Sequence, residues 1–143
     1  MPGSTDLDRT LTEAGRTQAK ELGKFLKHQN LKLDLVLSST AVRARETTEV
    51  LLASAEITAA AQYEHAIYEG SAAGLLQLIS QLENSAPTVL VVGHNPAMEE
   101  LVHLLTGQAE QMSTCTLAKI TFATDKWNEL TPGSGTLEQL VRP

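Results

Sequence analysis

The 143-residue chain has a single cysteine, Cys115, so it forms no intramolecular disulfide and offers no cysteine-based metal cluster. That residue alternates with polar neighbours in an expected strand, where packing is its default role. Basic residues are not in excess: 11 Lys and Arg stand against 17 Asp and Glu, a net charge of −6. This balance argues against a nucleic-acid partner and against polybasic contact with a membrane. No apolar run is long enough to span a bilayer. The first residues lack the charged-then-apolar order of a signal peptide, which points to the cytoplasm. Neither Gly-x-Gly-x-x-Gly nor Gly-x4-Gly-Lys-Ser/Thr occurs, so a doubly wound nucleotide-binding domain is set aside. His, Cys, Asp and Glu form no metal-ligand spacing, and neither metal nor cofactor is expected. Internal repeats, low-complexity tracts and linkers are also missing, which makes residues 1–143 one domain.

What is present is ordinary for a globular protein, with 42% hydrophobic and 20% charged residues. Thr12 reads as the N-cap of a helix running to about Gln29, with Ala19, Leu22, Leu26 and Phe25 on its buried side. A strand over 33–39 leads into a helix to about Ala53, and a weaker strand lies near Gln62 to Tyr68. Leu75, Leu76, Ile79 and Leu82 recur at helical spacing, giving a helix over about 72–83. A strand at 88–93 is followed by a helix to Leu105 with Gly107 as its C-cap. Thr114 to Ala123 and a segment around Trp127 read as closing strands. Strands alternating with helices across short links predict a three-layer α/β/α fold on a mostly parallel sheet.

Two strand-to-helix junctions carry chemistry. The run Val89-Leu90-Val91-Val92 reads as a strand buried on both faces, and Gly93 ends it. Asn95 is then a good N-cap and Pro96 suits the first helical position. His94 is thereby delivered at the carboxyl end of a strand, beside a helix N-terminus that favours an anion. Upstream, Leu33 to Ser39 runs into a helix capped by Ser39 or Thr40, and Arg43 falls in its first turn. A cation there is unfavourable unless an anion is shared, and a guanidinium can grip two phosphate oxygens. Arg45 reads as a solvated surface residue offset by Glu46 and Glu49. His28 falls at the end of the first helix, His65 in the weaker strand and His103 within the helix after His94; all three read as structural or surface residues.

Ser39-x-x-x-Arg43-Ala44-x-x-Thr47, with Val91-Val92-Gly93-His94-Asn95-Pro96 downstream, resembles the histidine phosphatase superfamily. The match is to its small bacterial branch, the SixA-type phosphohistidine phosphatases with their phosphoglycerate mutase-like fold. Leu11-Thr12-Glu13-x-Gly15-x-x-Gln18-Ala19 and Pro132-Gly133-Ser134-Gly135 add to the resemblance. The superfamily's signature is an N-terminal strand ending in Arg-His-Gly, whose histidine is the nucleophile. This sequence contains no Arg-His-Gly, and Met1 to Thr12 looks like the loop that follows it. The expectation is a native chain beginning about a strand's worth of residues upstream; the rival is a truncated paralogue without catalysis. In the superfamily that strand lies within the sheet, beside the strands carrying the arginine and the second histidine, so its removal exposes unpaired backbone.

The resemblance implies in-line attack by the nucleophilic histidine and a phosphohistidine enzyme intermediate that water cleaves. Arg43 then holds phosphoryl oxygens and His94 donates to the charge building on them. Glu69, in Tyr68-Glu69-Gly70, is the candidate general acid, with a turn residue as the plain alternative. Asn95 and Ser39 are candidate phosphate contacts, each with helix capping as its alternative, and Thr12 is structural. Short links from Ala53 to Gln62 and Glu69 to Ala72 leave no room for a lid, so the pocket is open. An open site suits a phosphorylated protein such as a phosphohistidine domain, and the same site would serve a small phosphate ester. A phosphate- or phosphoprotein-binding pseudophosphatase is the alternative from another class.

Overall fold

The computed structural model describes residues 6–143. A 3-10 turn at Asp6–Asp8 precedes helix α1 (Glu13–His28), where the Thr12 hydroxyl accepts the Gly15 N–H as its N-cap. Ala19, Leu22 and Leu26 form the buried stripe of α1 as their spacing requires, with Gly15 and Gly23 beside them. Strand β1 (Leu35–Ser39) follows, buried at every residue, and then helix α2 (Val42–Ala55). Strand β2 is Ala60–Glu64, and the chain turns at once into a five-residue helix, α3 (His65–Glu69). The weaker strand therefore ends earlier than its composition predicts, and His65, Tyr68 and Glu69 are helical. Ile67 is the one buried residue of α3, too little for a periodic signal.

Helix α4 (Ala72–Ser80) is capped by the Ser71 side chain, strand β3 is Val89–Val92, and helix α5 (Ala97–Thr106) ends at Gly107. Two strands close the chain, β4 (Leu117–Phe122) and β5 (Gly135–Val141). Two expectations fail here. The segment around Trp127 is a 3-10 turn, held by its indole N–H to the Ala86 carbonyl at 2.8 Å and its backbone N–H to Asn84 at 3.0 Å. Cys115 lies before β4 with a positive φ of 61°, outside any strand, its half-buried thiol toward the Gly15 carbonyl.

Strands β2, β1 and β3 form a parallel sheet in that order, and β4 and β5 form an antiparallel pair. Helices α1 and α2 cover one face, through Leu22, Leu26, Leu51 and Ala55. Helices α4 and α5 cover the other, where Leu75, Ile79, Leu101 and Leu105 pack on Leu35 and Leu37. This is the expected three-layer arrangement, with the parallel strands confined to three and an antiparallel pair beside them.

The sheet has an open side. Strand β3 is as apolar as β1, yet every residue of it is only partly buried. Its free edge meets no strand among the described residues, and β4 pairs with β5 alone. A trough of about 540 Å³ lies there, lined by Leu26, Val89, Leu90, Leu117 and Ile120. It shares Leu90 and Leu117 with a second hollow of about 500 Å³ that reaches Arg43 and His94.

Candidate active site

Parallel register explains why two residues far apart in sequence meet. Ser38 of β1 pairs with Val92 of β3, so Ser39 and Gly93 end their strands at the same level. Ser39, fully buried, accepts the Ala41 N–H through its hydroxyl at 3.1 Å and so shapes the entry into α2. Arg43 then sits in the first turn of α2. A Cβ at Gly93 would lie 2.8 Å from Met98 Sδ and 3.3 Å from Ile67, so a larger residue there has to displace the Met98 side chain.

The His94 ring bridges the two junctions. Its Nε2 lies 2.7 Å from Ser39 Oγ, and its Nδ1 lies 3.4 Å from Arg43 Nη2. A guanidinium only donates, so Nδ1 must be the acceptor and Nε2–H the donor to Ser39. This tautomer is assigned from the network. Burial holds the His94 imidazole below its usual range, and the Arg43 charge pushes the same way while Asp6 opposes both. His94 is therefore neutral near pH 7.

Arg43 also reaches Asp6, through Nη1 to the carbonyl at 2.8 Å and Nη2 to Oδ2 at 3.1 Å. The Tyr68 hydroxyl donates to the same Oδ2 at 2.8 Å, and the Tyr68 ring meets His94 edge-on with centroids 5.5 Å apart. Arg9 pairs with Asp6 Oδ1 at 2.9 Å and also lines the hollow. The arrangement concentrates two guanidiniums, a phenol and a neutral imidazole at the carboxyl ends of adjacent parallel strands. Such a set holds a tetrahedral oxyanion through several oxygens at once.

Residues 2–69 match the family model described as histidine phosphatase superfamily, branch 1. An uncharacterised chloroplastic protein of Arabidopsis thaliana is 30% identical over 151 residues, covering 96% of this chain and 69% of the relative. The chain belongs to the histidine phosphatase superfamily.

An uncharacterised protein of Mycobacterium tuberculosis is 35% identical over 103 residues, covering 72% of this chain and 63% of its own. This superfamily member thus spans about two thirds of the length of these two relatives. Among solved structures, the candidate phosphohistidine phosphatase SixA from Agrobacterium tumefaciens superposes with a TM-score of 0.84 at 27% identity, covering 100% of this chain and 89% of its own. The fold is the phosphoglycerate mutase-like one expected.

The other expected site residues divide. Asn95 does not cap α5: Pro96 holds the N-cap position, and the Asn95 amide donates to the Met112 carbonyl, tying the loop before β4 to this turn. Glu69 is exposed and bonded to His65 Nε2 at 2.8 Å, while His65 Nδ1 lies 2.9 Å from the Thr40 hydroxyl. Thr40 is accordingly bonded to His65 and leaves α2 uncapped; Ala41 holds that N-cap position without a side-chain bond. Arg45 is exposed and lies over the Tyr63 ring at 4.3 Å. His28 closes α1 and His103 lies on the exposed side of α5. Among the described residues no group of three or more His, Cys, Asp or Glu is placed to hold a metal. Three members of the cluster, Asp6, Arg9 and Tyr68, went unrecognised in the sequence. Asp6 and Arg9 lie ahead of the first helix and Tyr68 on the short helix after β2, where its proximity to the Glu69 candidate was the only available cue.

Proposed function

We propose that this domain is a phosphohistidine phosphatase acting on a phosphorylated protein, with Arg43 gripping the phosphoryl oxygens and His94 stabilising the charge that develops on them. The observation that carries the reading is the 3.4 Å approach of Arg43 Nη2 to His94 Nδ1 across the ends of β1 and β3, in a hollow open to solvent. Phosphoryl transfer is catalysed mainly by positioning and electrostatic stabilisation, which these groups supply. The similarity to a protein named for SixA supports the substrate class. Ser39 orients His94, and Asn95 shapes the wall of the hollow.

The reaction needs a nucleophile. In the scheme proposed, an imidazole nitrogen attacks phosphorus, the substrate histidine leaves with a proton, and water then cleaves the enzyme phosphohistidine to inorganic phosphate. A histidyl leaving group departs readily once protonated, so Glu69 need not act as a strong acid. We place the nucleophile on an extended strand ending in Arg-His-Gly that pairs with the free edge of β3. What supports this placement is the apolar trough beside β3, which runs into the hollow holding Arg43 and His94. A second reading, a phosphate-binding module without turnover, is favoured by the joint hold of Arg43, Tyr68 and Arg9 on a single carboxylate.

Phosphate release from a phosphohistidine domain and from 4-nitrophenyl phosphate should be compared for the 143-residue chain and for the same chain preceded by a strand ending in Arg-His-Gly. The extended chain should turn over, prefer the phosphohistidine protein, and lose ~10²–10³ in rate with Arg43→Ala, as on removal of an oxyanion donor. Preference for the simple ester would overturn the substrate class. No turnover by the extended chain, with phosphate bound by both, would leave the binding module.

A further inference from the structure

The guanidinium of Arg43 already has an anion. Asp6 presents its carbonyl to Nη1 and Oδ2 to Nη2, Oδ2 also accepts from the Tyr68 hydroxyl, and Oδ1 is held by Arg9. One carboxylate therefore receives three donors, two of them cationic, which is the pattern anion sites present to a phosphoryl group. The Tyr68 ring lies edge-on to His94, with centroids 5.5 Å apart. Asp6 makes no hydrogen bond to His94, whose Nε2–H and Nδ1 are taken by Ser39 and Arg43.

We propose that Asp6 is the resident anion of this site, that a phosphoryl group binds by displacing it from Arg43, and that Tyr68 is a binding residue whose hydroxyl passes from Asp6 to a phosphoryl oxygen. This rests on the anion-site reading above. The turn Asp6–Asp8 buries no residue, and the Asp6 side chain is 52% exposed, so its release disturbs little packing. Exposed ion pairs are weak, whereas a phosphoryl group brings nearly two charges and three acceptor oxygens. Its three oxygens can take Arg43, Arg9 and Tyr68 separately, whereas Asp6 offers two carboxylate oxygens, one of them shared by Arg43 and Tyr68.

The protonation states agree. The Tyr68 hydrogen bond is the largest influence lowering the Asp6 carboxyl, with Arg43 and Arg9 adding to it, so Asp6 is ionised at neutral pH. The same bond pushes the Tyr68 phenol up, so it stays a donor. A resident occupant lowers apparent affinity by the fraction of time the site is open, and a displaced carboxylate still nearby repels the ligand.

The test is titration of the 143-residue chain with inorganic phosphate, read by calorimetry and by backbone amide shifts. Asp6→Asn keeps the shape and removes the charge, and it should tighten phosphate binding about two- to fivefold, the scale of one exposed ion pair. In the wild type the Asp6 amide should move on saturation. In the Asp6→Asn background, Tyr68→Phe should weaken phosphate several-fold, about one hydrogen bond. Unchanged or weaker binding by Asp6→Asn would overturn the proposal and make Asp6 a support for Arg43. Binding that survives Arg43→Ala, or no binding by either wild type or Asp6→Asn, would instead overturn the anion-site reading.

Discussion

Ser39 joins fold and site through one oxygen, so Ser39→Ala measures both. The residue is fully buried, as is Ala41, whose N–H it accepts at 3.1 Å. Its other partner is His94 Nε2 at 2.7 Å. Alanine fits the space without a clash and leaves a gap of one oxygen, so the cost is polar. Orphaning the buried Ala41 N–H costs about 1–3 kcal/mol, and losing the His94 bond removes about 0.5–1.5 kcal/mol more. The sum is about 1.5–4.5 kcal/mol. With a urea slope of about 1–3 kcal/mol/M, the unfolding midpoint falls by about 0.5 M or more.

Ser38→Ala is the matched control. Ser38 is equally buried, but its hydroxyl only donates to the Ser39 carbonyl at 3.0 Å, so its loss costs about 1 kcal/mol. A second readout is specific to the site. Nitrogen shifts of His94 should report the Nε2–H tautomer in the wild type and a mixture in Ser39→Ala, because the proton has lost its acceptor. Equal losses for the two variants, with an unchanged His94 tautomer, would refute the reasoning. Ser39 would then be a packing residue, and His94 would be held by Arg43 alone.

Two further outcomes follow from the same coordinates. Gly23→Ala places a Cβ 2.6 Å from the Leu51 carbonyl oxygen and 2.6 Å from Ser54 Cβ, where α1 crosses α2. Overpacking of about 1–3 kcal/mol should outweigh the ~1 kcal/mol gained in helix propensity, and a variant more stable in urea would show that the helices separate freely. His94 governs the acid side of the stability profile. Its folded-state pKa is lowered, so the unfolded chain binds the proton more tightly, and stability falls as pH drops below about 6.5. His94→Gln should flatten that slope between pH 7 and 5; an identical slope would place the titration elsewhere.

The elements legible in the sequence were those whose ends carry their own chemistry. Thr12 caps α1 through the Gly15 N–H, and Gly107 ends α5 with a φ of 77°, both as their residue types require. The failures lie where long-range bonds decide. Asn95 has the composition of a cap but spends its amide on Met112, seventeen residues on. Trp127 looked like strand material because aromatic residues favour strands, yet its indole N–H is fixed by Ala86 on another loop. Strand β5 was overlooked although its exposure alternates from Gly135 to Gln139, because its Gly-Thr start reads as a turn.

At the site, Arg43 and His94 were legible for a topological reason. In a parallel sheet every strand delivers its carboxyl end to the same side, so two strand-to-helix junctions on neighbouring strands must face one another. Asp6 and Arg9 obey no such rule, since both precede the first helix; Tyr68 follows the parallel strand β2, but on a helix of only five residues with one buried position. The contrast between β1 and β3 is of the same kind. Leu35-Val36-Leu37 and Val89-Leu90-Val91 are interchangeable by composition, yet the first is buried at every position and the second at none. A strand's own residues specify that both its faces be covered; whether both its edges are paired depends on its neighbours. The edge of β3 that pairs with no strand among the described residues leads along the trough to His94. A strand laid there would add to the sheet and, by the same directional rule, deliver its carboxyl end beside His94 if it ran parallel to β3.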